Sequence, residues 1–338
     1  MPLADPPAEV AAAETAPAEI TPAGITSAGL VPAEIAPAEI APAEIFPAGV
    51  VLAGIGDEAG PGLDEQVAAV SELGWRRLEL RAVGGVPLAR LGEQPFAAAV
   101  ERIAAAGISV VCVASKIGDW SRPVTGDFAL DLTELNVLAR RCPALGTRLV
   151  RVMSYPSGGL PDAEWARLAR ARLRELARRA EDSGLLLVHE NCAGWAADRA
   201  DRMLDLITGI GSPALRLLFD TGNGVPYGYP SVPMLRDIVE YVAHVHVKDA
   251  VTAGDGTVGY VPPGEGESEV GACLSLLLAH GYRGALSIEP HLHLRPHLAT
   301  TPAGTSADTT PGRGDRAAFV AYGRALEGLL TKIAGDAQ

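Results

Sequence analysis

Four short apolar runs, each ending in polar side chains, occur in one third of the chain: LLLVHEN (185–191), LLFDTGN (217–223), HVHVKD (244–249) and LSIEPH (286–291). Leucine, isoleucine and valine dominate them, which is typical of buried strands, and amphipathic segments of helical length separate them. This alternation predicts parallel strands whose carboxyl ends lie at one edge of a sheet. We therefore expect the four polar ends to lie close together.

The same alternation begins at Val50 and gives eight predicted strands and eight predicted helices. Because parallel strands need right-handed crossover connections, few other topologies are compatible with this order. The predicted fold is α/β, a single-domain (β/α)8 TIM barrel over residues 48–338. The fifth strand is predicted to end at Glu190. After the seventh strand the next predicted element is a helix over Glu267–His280, and the last is a helix over Arg316–Ile333.

Residues 1–47 have a different composition, rich in proline, alanine and glutamate. Three successive five-residue repeats each begin with proline: PAEIA at 32–36, PAEIA at 37–41 and PAEIF at 42–46. Proline removes a backbone donor and clashes with the preceding helical turn, so a long helix is excluded. We predict a disordered N-terminal tail, with a docking segment as the alternative.

Composition and charge limit the function classes. The formal net charge is −13 and 48% of the residues are hydrophobic, which disfavours a nucleic-acid partner and predicts a large core. The four cysteines form no CxxC pair, no lysine or arginine precedes Arg76, and no apolar run reaches membrane-spanning length. These features predict a cytoplasmic protein without a membrane segment that acts on a small molecule.

The polar strand ends predict a metal centre formed by Glu190, Asp220, His246 and Glu289. Successive members are separated by 30, 26 and 43 residues, about the length of one strand, one helix and two loops. Three carboxylates and one imidazole converging in a barrel mouth are costly without a cation. A helix-capping role explains one such residue but not four. These ligands suit one divalent ion, which can be Mn²⁺, Mg²⁺, Co²⁺ or Zn²⁺.

Other polar residues near strand ends are predicted to contact substrate: Asn223, Lys248, Asp249, His291, Arg151 and Glu79. Lys248 and Asp249 either hold a substrate oxygen or form an ion pair at the rim, and both interpretations remain open at this stage. His244 has the same strand parity as His246 but lies deeper, so we expect a hydrogen-bonded core histidine there.

Five motifs together resemble the xylose-isomerase-like barrel superfamily of sugar and sugar-phosphate isomerases and epimerases: HEN (189–191), DTGN (220–223), HVKD (246–249), GEGE (264–267) and IEPH (288–291). The resemblance extends from Val50 to the C-terminus. It implies that the four residues of the predicted metal centre bind one divalent ion, often manganese, and that Glu190 and Glu289 are also the catalytic acid/base pair. Asn223 departs from several free-ketose epimerases, which have histidine there, and is more similar to members acting on pentulose phosphates.

The resemblance implies a divalent-metal-dependent isomerase or epimerase whose substrate is a sugar or sugar phosphate. Proton removal beside a ketose carbonyl leaves an enediolate that a divalent ion stabilises, and two carboxylates can transfer the proton. One alternative is a keto-polyol dehydratase of the inosose type on the same scaffold. An endonuclease-IV-like phosphodiesterase, which needs three zinc ions and more histidines, and a non-catalytic sugar-binding protein are less favoured. A homodimer is expected because such barrels commonly pair.

Overall fold

The computed structural model describes residues 49–292 and 315–336. The strands of this part are β1 (Val51–Gly54), β2 (Arg77–Leu80), β3 (Ala82–Val83), β4 (Val86–Pro87), β5 (Ser109–Ala114), β6 (Leu149–Ser154), β7 (Leu186–Gly194), β8 (Leu215–Asp220), β9 (Val242–Val247), β10 (Asp249–Thr252), β11 (Val258–Val261) and β12 (Ala285–Ile288). The α-helices are α1 (Leu63–Glu72), α2 (Glu93–Ala105), α3 (Ala129–Leu145), α4 (Asp162–Ser183), α5 (Ala200–Ile210), α6 (Gly224–Tyr227), α7 (Ser231–Ile238), α8 (Val270–Ala279) and α9 (Arg316–Asp336).

Eight of these strands form one parallel sheet in the order β1-β12-β9-β8-β7-β6-β5-β2. A parallel bridge between Ile55 and Glu79 joins the two edge strands, so the sheet is nearly closed into a barrel. The predicted (β/α)8 TIM barrel is therefore confirmed. The predicted disordered tail, residues 1–47, lies outside the described residues, as does most of the loop before α9.

Strand periodicity explains how the barrel separates its apolar core from its polar site. Outward-facing side chains such as Leu187, Leu217 and Val245 belong to the main hydrophobic cluster with the helices. Inward-facing Leu186 and Leu218, with neighbours, form a small separate cluster inside the barrel. Burying one such leucine stabilises the fold by roughly 1.5–3 kcal/mol. The inner cluster leaves the carboxyl-terminal end of the barrel for polar residues.

The structure departs from the predicted elements in two places near the site. β7 does not end at Glu190 but continues to Gly194, whose backbone pairs with Ser154. The segment after β9 forms an antiparallel hairpin, β10–β11, which the sequence analysis did not predict. Its turn contains Asp255-Gly256, and the positive φ of Gly256 (83°) explains the glycine.

Among the described residues, none of the helices combines the length and apolar character that crossing a bilayer requires.

Candidate metal centre

Glu190, Asp220, His246 and Glu289 meet at the carboxyl ends of four neighbouring barrel strands. Each can direct one ligand atom to a common point, and these four atoms lie within 4.8 Å of one another. His246 Nδ1 is 3.4 Å from Glu190 Oε1, 3.5 Å from Glu289 Oε2 and 3.9 Å from Asp220 Oδ2. The parallel register produces this convergence, because Asp220 and Ser287 both lie beside His246 in adjacent strands.

The chemistry of these atoms fits a divalent cation. All four side chains are buried, and Glu190 Oε2, Asp220 Oδ2 and His246 Nδ1 have no hydrogen bond to any described residue. Removing several carboxylates from water costs several kcal/mol each unless a positive charge compensates. Three carboxylate oxygens and one imidazole nitrogen are a donor set that Mn²⁺, Mg²⁺ or Zn²⁺ can accept.

Backbone hydrogen bonds orient Asp220 toward the common point. Its Oδ1 accepts hydrogen bonds from the backbone N–H groups of Gly222 (2.8 Å) and Asn223 (3.0 Å). The side chain of Asn191 brackets the Asp220 backbone, accepting from its N–H at 2.6 Å and donating to its carbonyl at 2.9 Å. Because these backbone bonds occupy Oδ1, Oδ2 is the oxygen of Asp220 that faces the common point.

Lys248 places a buried positive charge inside this group of acids. Its Nζ is 2.9 Å from Asp220 Oδ2 and 2.8 Å from Glu289 Oε2. Burial lowers the pKa of Lys248, but the two carboxylates raise it well above its usual value. Burial also raises the pKa of Asp220, to about 6, against the opposing effect of Lys248. The rim ion pair between Lys248 and Asp249, one of the two interpretations from the sequence, is not what the described residues form: Lys248 pairs with Asp220 and Glu289 inside the cluster.

Each predicted acid/base carboxylate has an arginine beside it. Arg151 Nη1 is 3.3 Å from Glu190 Oε2, and Arg81 Nη1 donates to Glu289 Oε1 at 3.0 Å. Burial raises the pKa of Glu190, but Arg151 and, after it, His246 lower that pKa below its usual value. Burial also raises the pKa of Glu289, but nearby cationic groups, Lys248 foremost, lower that pKa well below its usual range. The neighbouring cationic groups therefore favour the ionised form of both carboxylates.

Two acids that the sequence analysis did not identify hold Arg81. The Nε of Arg81 donates to both carboxylate oxygens of Asp57 at 3.1 Å, and Nη2 donates to Glu58 Oε1 at 2.7 Å. Glu58 also accepts a hydrogen bond from the backbone N–H of His291 and lies 3.2 Å from its Nδ1. Asp57 and Glu58 follow β1, so the strand-end signal that identified the ligands also applies to them.

The rim of the site carries one further residue that was not predicted, Tyr260. Its ring makes an edge-to-face contact with the ring of His291, with centroids 5.2 Å apart. Tyr260 lies in β11, so its position at the site depends on the hairpin β10–β11. Asn223 Nδ2 is buried without a hydrogen-bond partner among the described residues. Substrate contact by Asn223, His291, Lys248 and Arg151 stays a prediction.

Two residues that were predicted to contact substrate are engaged within the protein. Glu79 lies deeper in the barrel, and its carboxylate bonds the Nε2 atoms of His244 (2.7 Å) and His246 (3.0 Å). His244 is thus a hydrogen-bonded interior residue. The carboxylate of Asp249 accepts four backbone N–H groups from residues 250–268. These bonds engage both carboxylates within the protein, and substrate contact by Glu79 and Asp249 stays a prediction.

Comparison with known proteins agrees with the geometry. The sequence model of the xylose isomerase-like TIM barrel family matches residues 67–308. An inosose dehydratase from Clostridium botulinum is 29% identical over 146 residues, which are 38% of this chain and 47% of that protein. A 2-epi-5-epi-valiolone 7-phosphate 2-epimerase from Actinoplanes sp. is 34% identical over 113 residues, 33% of this chain and 40% of that protein. The chain spans about half the length of the curated relatives it matches.

A solved structure of a xylose isomerase-like TIM barrel protein from Mycobacterium smegmatis, in complex with magnesium, has a TM-score of 0.62 and 19% sequence identity to this chain. The superposition covers 87% of this chain and 99% of that chain. At 19% identity, this structural similarity shows that the two chains share a fold. The family match, by contrast, extends over more than half of the 338 residues. The chain therefore belongs to the xylose isomerase-like TIM barrel family.

Proposed function

We propose that the protein is a divalent-metal-dependent isomerase or epimerase of a sugar or sugar phosphate. One observation carries this proposal: two buried carboxylates, Glu190 and Glu289, lie 3.4 and 3.5 Å from the same imidazole nitrogen of His246. Carboxylates so placed can remove a proton beside a carbonyl and return one. The 34% identity over 113 residues to a 2-epi-5-epi-valiolone 7-phosphate 2-epimerase supports this reaction class.

In this proposal Glu190, Asp220, His246 and Glu289 hold the metal, and Mn²⁺ is the expected ion. When bound, a divalent cation supplies Lewis-acid stabilisation to a developing oxyanion. Magnesium, which accompanies the Mycobacterium smegmatis protein, is the first alternative to test. A homodimer remains the expected assembly.

The chain's own residues would perform the proton transfer. Arg151 and Arg81 hold Glu190 and Glu289 in fixed orientations through their guanidinium groups. Such fixed positions matter because a displacement of about 1 Å can cost 10²-fold in rate. Epimerisation follows if both carboxylates act on the same carbon, and isomerisation follows if the proton returns to the neighbouring carbon.

Proton exchange tests this proposal directly. The Mn²⁺-reconstituted protein is incubated with a panel of ketoses and ketose phosphates in heavy water, and deuterium at the carbon beside the carbonyl is followed by NMR. We expect exchange by the wild type and none by Glu289→Gln. Glu265→Gln, the same change on an exposed turn, is the matched control and should exchange normally. Retained exchange in Glu289→Gln with metal bound would refute the role of Glu289.

A keto-polyol dehydratase is the second candidate, and the identity to an inosose dehydratase favours it specifically. The first step is the same removal of a proton beside a carbonyl. Loss of a β-hydroxyl would then follow, and we propose His291 as its proton donor because its ring lies 3.8 Å from Glu289 Oε1. Mass spectrometry of the product separates the candidates, because dehydration gives a product lighter by one water and isomerisation leaves the mass unchanged.

A further inference from the structure

The carboxylate of Glu79 lies beneath the candidate metal centre and contacts two histidines of the same strand. Glu79 Oε2 is 2.7 Å from His244 Nε2, and Glu79 Oε1 is 3.0 Å from His246 Nε2. All three side chains are fully buried. His246 therefore uses one ring nitrogen for Glu79 and presents the other, Nδ1, to Glu190, Asp220 and Glu289.

We propose that Glu79 is a positioning residue that fixes His246 as a metal ligand. An ionised carboxylate only accepts hydrogen bonds, so both histidines must donate through Nε2–H. In a neutral imidazole this leaves the lone pair on Nδ1. The nitrogen that carries the lone pair in His246 is the one that faces the three acids. This inference rests on the proposed function, since it assumes that a divalent ion binds there.

His244 has a specific part in this arrangement. It donates to the second oxygen of Glu79, and its own Nδ1 has no hydrogen-bond partner among the described residues. A carboxylate held from both sides cannot rotate away from His246. The edge-to-face contact between the two imidazole rings, with centroids 5.5 Å apart, restricts their rotation further.

Glu79, His244 and His246 are also close enough to hold a cation among themselves. The distances of 2.7 and 3.0 Å between the oxygens and nitrogens are those of ordinary hydrogen bonds. A cation there would use Nε2 of His246 and leave a protonated Nδ1 facing three acids, which removes the ligand from the main centre. The geometry thus favours an orienting hydrogen bond over a second cation site.

Metal binding by variants of Glu79 tests the proposal. Mn²⁺ affinity is measured by titration for the full-length wild type, Glu79→Gln and Glu79→Asp. The glutamine side chain offers one acceptor oxygen instead of two, and the aspartate side chain keeps the charge but is too short to reach both histidines. We expect each variant to weaken Mn²⁺ binding 10- to 100-fold, the usual effect of removing an orienting partner. Glu134→Gln, at a buried glutamate of α3 outside the site, is the matched control and should bind as the wild type does.

Wild-type affinity in Glu79→Asp would show that the negative charge, and not the hydrogen bonds to both histidines, supports Mn²⁺ binding. Wild-type affinity in both variants would overturn the inference while leaving the proposed function intact. Binding of two Mn²⁺ ions per chain would favour the second cation site instead. If the wild type binds no Mn²⁺, both the inference and the proposed function fail. If it binds Mn²⁺ with the expected variant effects but exchanges no substrate proton, only the proposed function fails.

A second measurement does not depend on affinity. Nitrogen-15 spectra of the histidine rings in the Zn²⁺-loaded wild type report which nitrogen of His246 carries the proton. We expect a protonated, hydrogen-bonded Nε2 and a metal-bound Nδ1. A proton on Nδ1 of His246 would contradict the assignment, whatever the stability of the Glu79 variants.

Discussion

Replacing Asp249 by asparagine should destabilise the protein even without metal or substrate. The Asp249 carboxylate is buried and accepts four backbone N–H groups: Oδ1 from Ala250 (2.9 Å) and Ser268 (3.1 Å), and Oδ2 from Gly264 (2.8 Å) and Gly266 (3.0 Å). Asp249 thereby ties the start of the hairpin β10–β11 to the turn that precedes α8. Its backbone N–H also donates to the Tyr322 hydroxyl of α9 at 3.0 Å.

The size of the effect follows from these bonds. Asparagine has nearly the shape of aspartate, but its NH2 group cannot accept from a backbone N–H group. The favourable orientation keeps the oxygen on the buried Ala250 and Ser268 amides and loses the bonds from Gly264 and Gly266. Hydrogen bonds to a charged acceptor contribute about 1.5–3 kcal/mol each, and these two are only partly buried, so we expect a loss of about 3 kcal/mol in the free energy of unfolding.

Urea unfolding in the presence of a chelator measures this loss without a contribution from bound metal. Asp255→Asn is the matched control in the same hairpin, because a single oxygen of Asp255 accepts both hydrogen bonds from Thr257 and asparagine can keep them. We expect that control to change the free energy of unfolding by less than about 0.5 kcal/mol. If Asp249→Asn is equally mild in the metal-free protein and instead weakens substrate binding, the structural assignment of Asp249 is refuted.

Three further predictions concern the surroundings of the site. Arg81→Met should lower kcat about 100-fold by releasing Glu289 while one metal ion per chain remains bound, and a kcat within twofold of wild type would contradict this. Gly222→Ala should weaken Mn²⁺ binding, because the alanine Cβ would lie 2.8 Å from the backbone carbonyl carbon of Lys248 and displace that residue. Unchanged affinity would show that the backbone at Lys248 can shift without disturbing the site. Burial lowers the pKa of His189 from 6.5 to about 4. Below pH 6.5 the unfolded chain therefore binds more protons at this histidine than the folded protein does. The contribution of neutral His189 to stability is fully present above pH 6.5 and declines as the pH falls toward 4. Between pH 7.5 and 5 the wild type should therefore lose about 2 kcal/mol more unfolding free energy than His189→Leu, and equal losses in urea titrations would contradict the burial of a neutral imidazole.

Much of the site could be predicted because parallel strands in a barrel bring their carboxyl ends together. Asp220 ends β8, His246 lies one residue before the end of β9, and Glu190 lies midway along the extended β7. The parallel register of these consecutive strands brings the three side chains to one mouth. Strand parity also showed that His244 and His246 face the same side. Parity does not show depth, however, so Glu79, which faces the same interior, was expected to contact substrate although it lies beneath the metal centre.

Other features depend on tertiary contacts that no local pattern contains. Asp249 is the last residue of the HVKD segment (246–249), but its partners lie up to 19 residues further along the chain. The hairpin that carries Tyr260 did have a local signal, Asp255-Gly256 between two alternating segments, which is a strong indicator of a tight turn. Arg81 is a weak signal by itself, and its importance is visible only once Asp57, Glu58 and Glu289 surround it.

Metal content tests the central claim most directly. The full-length protein and His246→Ala are reconstituted with Mn²⁺, freed of excess ion by gel filtration, and analysed by elemental mass spectrometry. His280→Ala, which removes an exposed histidine at the C-terminal end of α8, is the matched control. We expect about one divalent ion per chain in the wild type and the control, and its loss in His246→Ala. Absence of metal in the reconstituted wild type, or full retention in His246→Ala, would contradict a metal centre formed by Glu190, Asp220, His246 and Glu289.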